Sequence, residues 1–152
     1  MINKLIKLYL TGFNIGCLKY MPGTFGTLLA IPIYILISNN SLYLNLLLIF
    51  SLFFLSIFLL NLSYNKSIFN HIDDKSIVID EIIGYLSFMI FFPPTVANIL
   101  IGFLLFRFFD IIKPFPIYLI DKRMKNSFGV IFDDLIAAIF SGIILYIIIN
   151  VF

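Results

Sequence analysis

The chain is expected to fold as an all-α protein: a small polytopic membrane helical bundle with about five membrane-embedded helices and an N-terminal interfacial helix. Three observations predict this. The 152 residues are 62% hydrophobic and 12% charged, against roughly 45–50% and about 25% in an average soluble domain. A soluble globule of this size has too little polar surface to cover such a composition, and the mean hydropathy is +1.12. The charges are also swept into groups, because Tyr20–Asn65, Ile82–Phe106 and Leu135–Phe152 carry none. Finally, turn signals cut those stretches into helix-sized pieces. The same figures exclude disorder. One cysteine excludes a disulfide scaffold. A net charge of +2 excludes a strongly basic nucleic-acid binder, so no nucleic-acid partner is expected.

Met1–Leu10 has the pattern of an amphipathic helix lying at a membrane surface, with Lys4 and Lys7 on one side. The first 19 residues lack the long apolar core and Ala-x-Ala-like site of a signal peptide. A spanning helix needs about 20 apolar residues, so Tyr20–Asn65 is too long for one. The polar turn Ser38-Asn39-Asn40-Ser41 divides it into Phe25–Ile37 and Leu42–Leu62. Pro93-Pro94 divides the next stretch into Ile77–Phe92 and Thr95–Ile112. These arms are short, which suits partly re-entrant helices shielded by their neighbours. The last stretch is one helix. Two hairpins and a final helix return every charged group to one side, and the flanking lysines make that side cytoplasmic. No repeat or linker is visible, so residues 1–152 form one domain.

Six of the eight acidic residues fall in adjacent pairs: Asp73-Asp74 in a polar loop, and the two pairs of interest, Asp80-Glu81 and Asp133-Asp134. These two pairs lie where a charged segment meets an apolar one, the expected start of a membrane helix. One acid there gains about 0.3–1 kcal/mol from the helix dipole. Two adjacent acids repel, and a hard divalent cation such as Mg²⁺ would relieve that. Asp110 is a third carboxylate. It is spaced i, i+3, i+6 with Arg107 and Lys113, about 4.5 Å of rise per step. The row reads either as intrahelical ion pairs or as a carboxylate between two cations that hold a phosphate. Pro22-Gly23-Thr24-Phe25-Gly26-Thr27 offers hydroxyls and free N–H groups to an anion at a helix start, with Thr24 as the N-cap in the plainer reading. Asn126 and Gly129 are expected at positive φ ahead of Asp133-Asp134. His71, beside Asp73, Asp74 and Lys75, reads as a loop residue, since one histidine is a poor zinc site. Cys17 reads as packing or interface.

Four blocks together resemble the phosphatidylglycerophosphatase A family. They are Pro22–Thr27, Ser76-Ile77-Val78-Ile79-Asp80-Glu81-Ile82-Ile83-Gly84, the run from Phe106 through Arg107, Asp110 and Lys113 to Ile117, and Gly129-Val130-Ile131-Phe132-Asp133-Asp134-Leu135-Ile136-Ala137. They stand in family order and span nearly the whole length. Two departures are visible: Asn126-Ser127 replaces the family's usual Gly-Gly, and the glycine-rich turn is thinner, with Asn14 and Ile15 among the residues between Gly12 and Gly16. The resemblance implies an all-helical, multi-pass, Mg²⁺-dependent phosphatase of the bacterial inner membrane with its active face cytoplasmic. It would convert phosphatidylglycerophosphate to phosphatidylglycerol and inorganic phosphate. Family pattern residues here are Thr24, Asp80, Glu81, Gly84, Arg107, Asp110, Lys113, Asp121, Asp133 and Asp134.

On this reading Asp80, Glu81, Asp110, Asp133 and Asp134 are catalytic and hold Mg²⁺, which polarises phosphoryl oxygens. Thr24, Thr27, Arg107 and Lys113 bind the phosphate. Attack by water is favoured over a covalent aspartyl-phosphate, because no Asp-x-Asp-x-Thr-type motif is present. A histidine-dependent lipid phosphatase is disfavoured by the single His71. The rival from another class is a non-catalytic, ion-conducting or scaffolding membrane bundle. It would spread its acids over different depths, whereas these return to one border.

Overall fold

The computed structural model describes residues 1–69, 71 and 74–151. Within them are seven α-helices and no strand. They are α1 (Ile2–Leu10), α2 (Pro22–Ile37), α3 (Leu42–Asn65), α4 (Ile79–Met89), α5 (Val96–Ile112), α6 (Ile117–Arg123) and α7 (Ser127–Val151), with a 3-10 turn at Ile15–Cys17.

The helix boundaries follow local chemistry. Helix α1 buries Ile6 and Leu10 and leaves Lys4 and Lys7 exposed, so it has the expected two-faced character. Helix α2 begins three residues earlier than expected, at Pro22, a residue preorganised for the first helical position. Thr24 therefore lies inside the first turn and is not the N-cap; Met21 is. The Ser41 hydroxyl caps α3 by accepting from Leu44 N–H, and the Thr95 hydroxyl caps α5 by accepting from Asn98 N–H. The Pro93-Pro94 turn separates α4 from α5 as expected. Helix α6 lies in the charged segment after Ile112, where no helix is expected from the sequence.

Helix α7 starts at Ser127, well before Leu135. Asp133 and Asp134 thus sit a full turn and more inside it, not at its start, and the dipole argument does not hold them there. Asn126 and Gly129 do not take positive φ. Asn126 instead caps α7, its Oδ1 accepting from Gly129 N–H at 2.8 Å. Gly129 is needed for close approach, since a Cβ there would run into the Met124 carbonyl.

Among the described residues, α3 and α7 are long and apolar enough to cross a membrane. The expectation of about five such helices is not met by length. At 1.5 Å per residue, α2, α4 and α5 span about 24, 17 and 26 Å, short of an apolar layer of about 30 Å. The bundle turns much of its apolar surface outward: Phe50, Phe54, Phe58, Leu104, Phe108, Ile143 and Tyr146 are exposed.

Helix α7 packs most extensively on α4 and α5, and α2 lies against α4. Tyr85, Phe88 and Phe106 stack edge and face where α4 meets α5. The two ends of the bundle differ. At one end Tyr34 in α2 donates its hydroxyl to the Phe92 carbonyl at 2.6 Å, so the turn after α2 and the Pro93-Pro94 turn lie together. The start of α2, the start of α4, the end of α5 and the first turns of α7 meet at the other end around a cavity.

Candidate active site

That cavity has a volume of about 390 Å³. Its wall includes Gly23 and Thr24 from α2, Asp80 and Glu81 from α4, Arg107 and Asp110 from α5, and Asp133 and Asp134 from α7. Lys113 and Asp121 complete it, with Asp74, Lys75 and Lys125 at the rim. Seven carboxylates and four cationic side chains therefore share one space, a formal excess of three negative charges.

The start of α4 is held in place by small residues. The segment before it, Ser76–Val78, is pinned by Val78 N–H donating to the Leu10 carbonyl at 3.0 Å. Gly16 comes up against the Ser76 carbonyl and Gly26 against Val78 so closely that a Cβ on either would clash. Asp80 and Glu81 thus occupy the first turn of α4 as expected, two and three residues past a wedged backbone.

Carboxylate oxygens of Asp80, Glu81 and Asp134 lie within 4.8 Å of one another. Three buried carboxylate oxygens, Glu81 Oε2, Asp133 Oδ1 and Asp134 Oδ2, have no hydrogen-bond partner. Leaving such groups unsatisfied costs about 1–3 kcal/mol each or more, a cost that a cation or a hydrogen-bond donor at the cluster would relieve.

Two of the four cations, Arg107 and Lys113, are committed to ion pairs. Arg107 Nη1 lies 2.6 Å from Asp110 Oδ2 and 4.0 Å from Glu81 Oε1. The i, i+3 pair of the expected row is therefore formed, but Lys113 has left the row. It ends α5 in a left-handed conformation, φ 45°, which swings its side chain to Asp121 at 2.8 Å and Asp133 at 2.5 Å. Burial alone would push the Lys113 ammonium down, but Asp133 and Asp121 outweigh it and hold it above the usual lysine range.

Gly23 lies against Glu81 and Arg107 with no room for a Cβ. No side chain caps α2, so the Gly23 and Thr24 N–H groups have no intrahelical acceptor and stand at the cavity wall. Thr27 is not in that wall. It is buried, donates to the Gly23 carbonyl at 3.0 Å and accepts from Arg107 Nη1 at 3.4 Å. It braces Arg107 against α2 and does not face a ligand.

The structure thus gathers every expected site residue except Thr27. Lys75, Lys125 and Asp74 had no signal in the sequence beyond lying near a block. Asp121 carried a family-pattern resemblance but no assigned role; the structure makes it the second partner of Lys113. His71 is exposed and outside the wall, and Cys17 is exposed, not packed. Asp73 lies outside the described residues.

An all-helical protein with outward apolar faces and a carboxylate-rich cavity at one end is the class that fold and site define. A family model for phosphatidylglycerophosphatase A matches residues 8–149. The chain is 37% identical over 145 residues to a phosphatidylglycerophosphatase A of Haemophilus influenzae, covering 93% of this chain and 86% of that one. It is 32% identical over 136 residues to the Escherichia coli phosphatidylglycerophosphatase A, covering 89% and 78%. A candidate phosphatidylinositol-3-phosphatase of Bacteroides thetaiotaomicron is 31% identical over 143 residues, covering 89% and 87%. No solved structure matches. The chain belongs to the phosphatidylglycerophosphatase A family and is a phosphatase, a phosphoric monoester hydrolase.

Proposed function

We propose that this protein hydrolyses phosphatidylglycerophosphate to phosphatidylglycerol and inorganic phosphate. We infer that it uses Mg²⁺ and works at the cytoplasmic face of a bacterial inner membrane, with α2, α4 and α5 embedded beside the longer α3 and α7. The observation that carries the reading is the group of Asp80, Glu81 and Asp134 oxygens within 4.8 Å, beside buried carboxylate oxygens that lack donors. Hard oxygen donors with room for water and phosphate suit Mg²⁺. Asp80, Glu81 and Asp134 would hold it, with Asp110 and Asp133 adjoining. Bound there, Mg²⁺ would supply Lewis acidity toward the phosphoryl oxygens.

The protein's own groups divide the remaining work. The Gly23 and Thr24 amides and the Thr24 hydroxyl cradle the phosphate at the start of α2. Arg107 and Lys113 offset charge on the transferring group as water bonds to phosphorus and the bond to the glycerol oxygen breaks. Asp110 and Thr27 orient Arg107, while Asp121 and Asp133 orient Lys113. The outward apolar faces keep the acyl chains of the substrate in lipid while its headgroup reaches the charged end. The names of the Haemophilus and Escherichia relatives support the substrate, and that of the Bacteroides relative also describes a phosphorylated lipid headgroup.

The test is phosphate release from phosphatidylglycerophosphate by protein purified in detergent, with Mg²⁺ or with a chelator. Activity should require the ion, and Asp80→Asn and Asp134→Asn should each lower kcat by about 10²-fold or more, the scale of losing a transition-state contact. Full activity in chelator, or unchanged Asn variants, would remove the metal assignment.

A further inference from the structure

Two of the four cations around the cavity have no ion-pair partner among the described residues. Arg107 is engaged by Asp110 and Lys113 by Asp121 and Asp133. Lys75 and Lys125 are exposed, line the same cavity and take part in no such pair. They come from different connections, one between α3 and α4 and one between α6 and α7, and so reach the cavity from separate segments of chain. Asp74 forms no ion pair with Lys75; its Oδ1 instead accepts from the Ser76 N–H at 3.0 Å and from the Ser76 hydroxyl at 2.7 Å. The cavity of about 390 Å³ is also larger than one phosphate requires.

We propose that Lys75 and Lys125 form a second anion subsite that binds the phosphodiester of the lipid headgroup, and that they set the preference for a substrate carrying a phosphodiester in addition to its terminal phosphomonoester. The inference rests on the proposed function, which puts the monoester at the acidic cluster. A phosphodiester keeps one negative charge at all physiological pH values, and a lysine ammonium suits such a target as a mobile point charge. In phosphatidylglycerophosphate a three-carbon glycerol separates the two phosphates, so the second must lie outward of the first, toward the rim. Phosphatidate carries its single phosphomonoester directly on diacylglycerol and would leave the rim lysines empty. The two lysines then act as specificity residues: they touch the headgroup but not the reacting phosphorus.

The experiment compares kcat/KM for phosphatidylglycerophosphate and phosphatidate of identical acyl chains, in uncharged detergent micelles with Mg²⁺. The proteins are the wild type, Lys75→Gln/Lys125→Gln and Lys75→Arg/Lys125→Arg. If phosphatidate is not turned over, its inhibition constant replaces its kcat/KM. The preference for phosphatidylglycerophosphate should fall about tenfold in the Gln pair, through KM and not kcat, as expected for losing two exposed charge-assisted contacts. The Arg pair should restore it. An unchanged ratio overturns the proposal, whether both lipids are handled equally worse or neither is affected. Equal loss would assign the lysines to general attraction or to folding. A wild-type protein that releases no phosphate from phosphatidylglycerophosphate would instead overturn the proposed function itself.

Discussion

Lys113 joins three parts of the molecule. It ends α5, binds Asp121 in α6 and binds Asp133 in α7. Two carboxylates hold its charge in a partly buried place, so removing the ammonium leaves Asp133 without a donor. Lys113→Met should lower stability by about 1–3 kcal/mol, read as thermal unfolding in detergent. Adding Asp133→Asn to that variant should recover at least half of the loss, since the second substitution removes the stranded charge. Strictly additive losses would mean the pair is not an energetic unit. This arrangement was only half visible in the residue spacing. Arg107 and Asp110 stay on a helix and pair as i, i+3 residues do. Lys113 lies one residue beyond the helix, and its left-handed backbone redirects the side chain, which no periodicity argument captures. Thr27 falls outside the cavity wall for a different reason, its depth in the bundle. Its hydroxyl shares nearly the same helix face as Thr24 but lies one turn deeper, fully buried between the Gly23 carbonyl and Arg107.

At the level of elements, apolar stretches and turn residues placed six of the seven helices near their true positions, because length, Pro-Pro and polar turns are local signals. Boundaries near the site were less legible. Charged residues were taken as ends of membrane helices, but α7 runs through Asp133 and Asp134 and starts at a cap seven residues earlier. The departure at Asn126 from the family's usual glycine is explained by that cap: an Asn side chain satisfies an N–H at the start of α7 that glycine would leave to solvent. Asn126→Ala should therefore cost about 1 kcal/mol, whereas Asn126→Gly should cost only a few tenths. Equal losses in thermal unfolding would show that Asn126 serves some purpose other than capping.

The whole molecule has two unlike ends. The start of α2, the start of α4, the end of α5 and the first turns of α7 all contribute to the acidic cavity, while Tyr34 ties the far part of α2 to the Pro93-Pro94 turn. Chain connectivity is consistent with this: a short turn joins α2 to α3 and another joins α4 to α5, while α7 leaves from the cavity end. Embedded in a bilayer, such a bundle keeps its scarce charges at one surface and its apolar faces in lipid. The consequence can be measured in a Cys17→Ser background, which removes the exposed native thiol. A single cysteine replaces either exposed Asn39, in the turn between α2 and α3, or exposed Lys122, in α6 near the cavity. A membrane-impermeant thiol reagent should modify Asn39→Cys in intact spheroplasts and Lys122→Cys in inside-out vesicles. Each should be protected in the opposite preparation. Reaction of both from the same side would break the two-hairpin topology, and with it the common surface on which the cavity and the lipid headgroup are expected to meet.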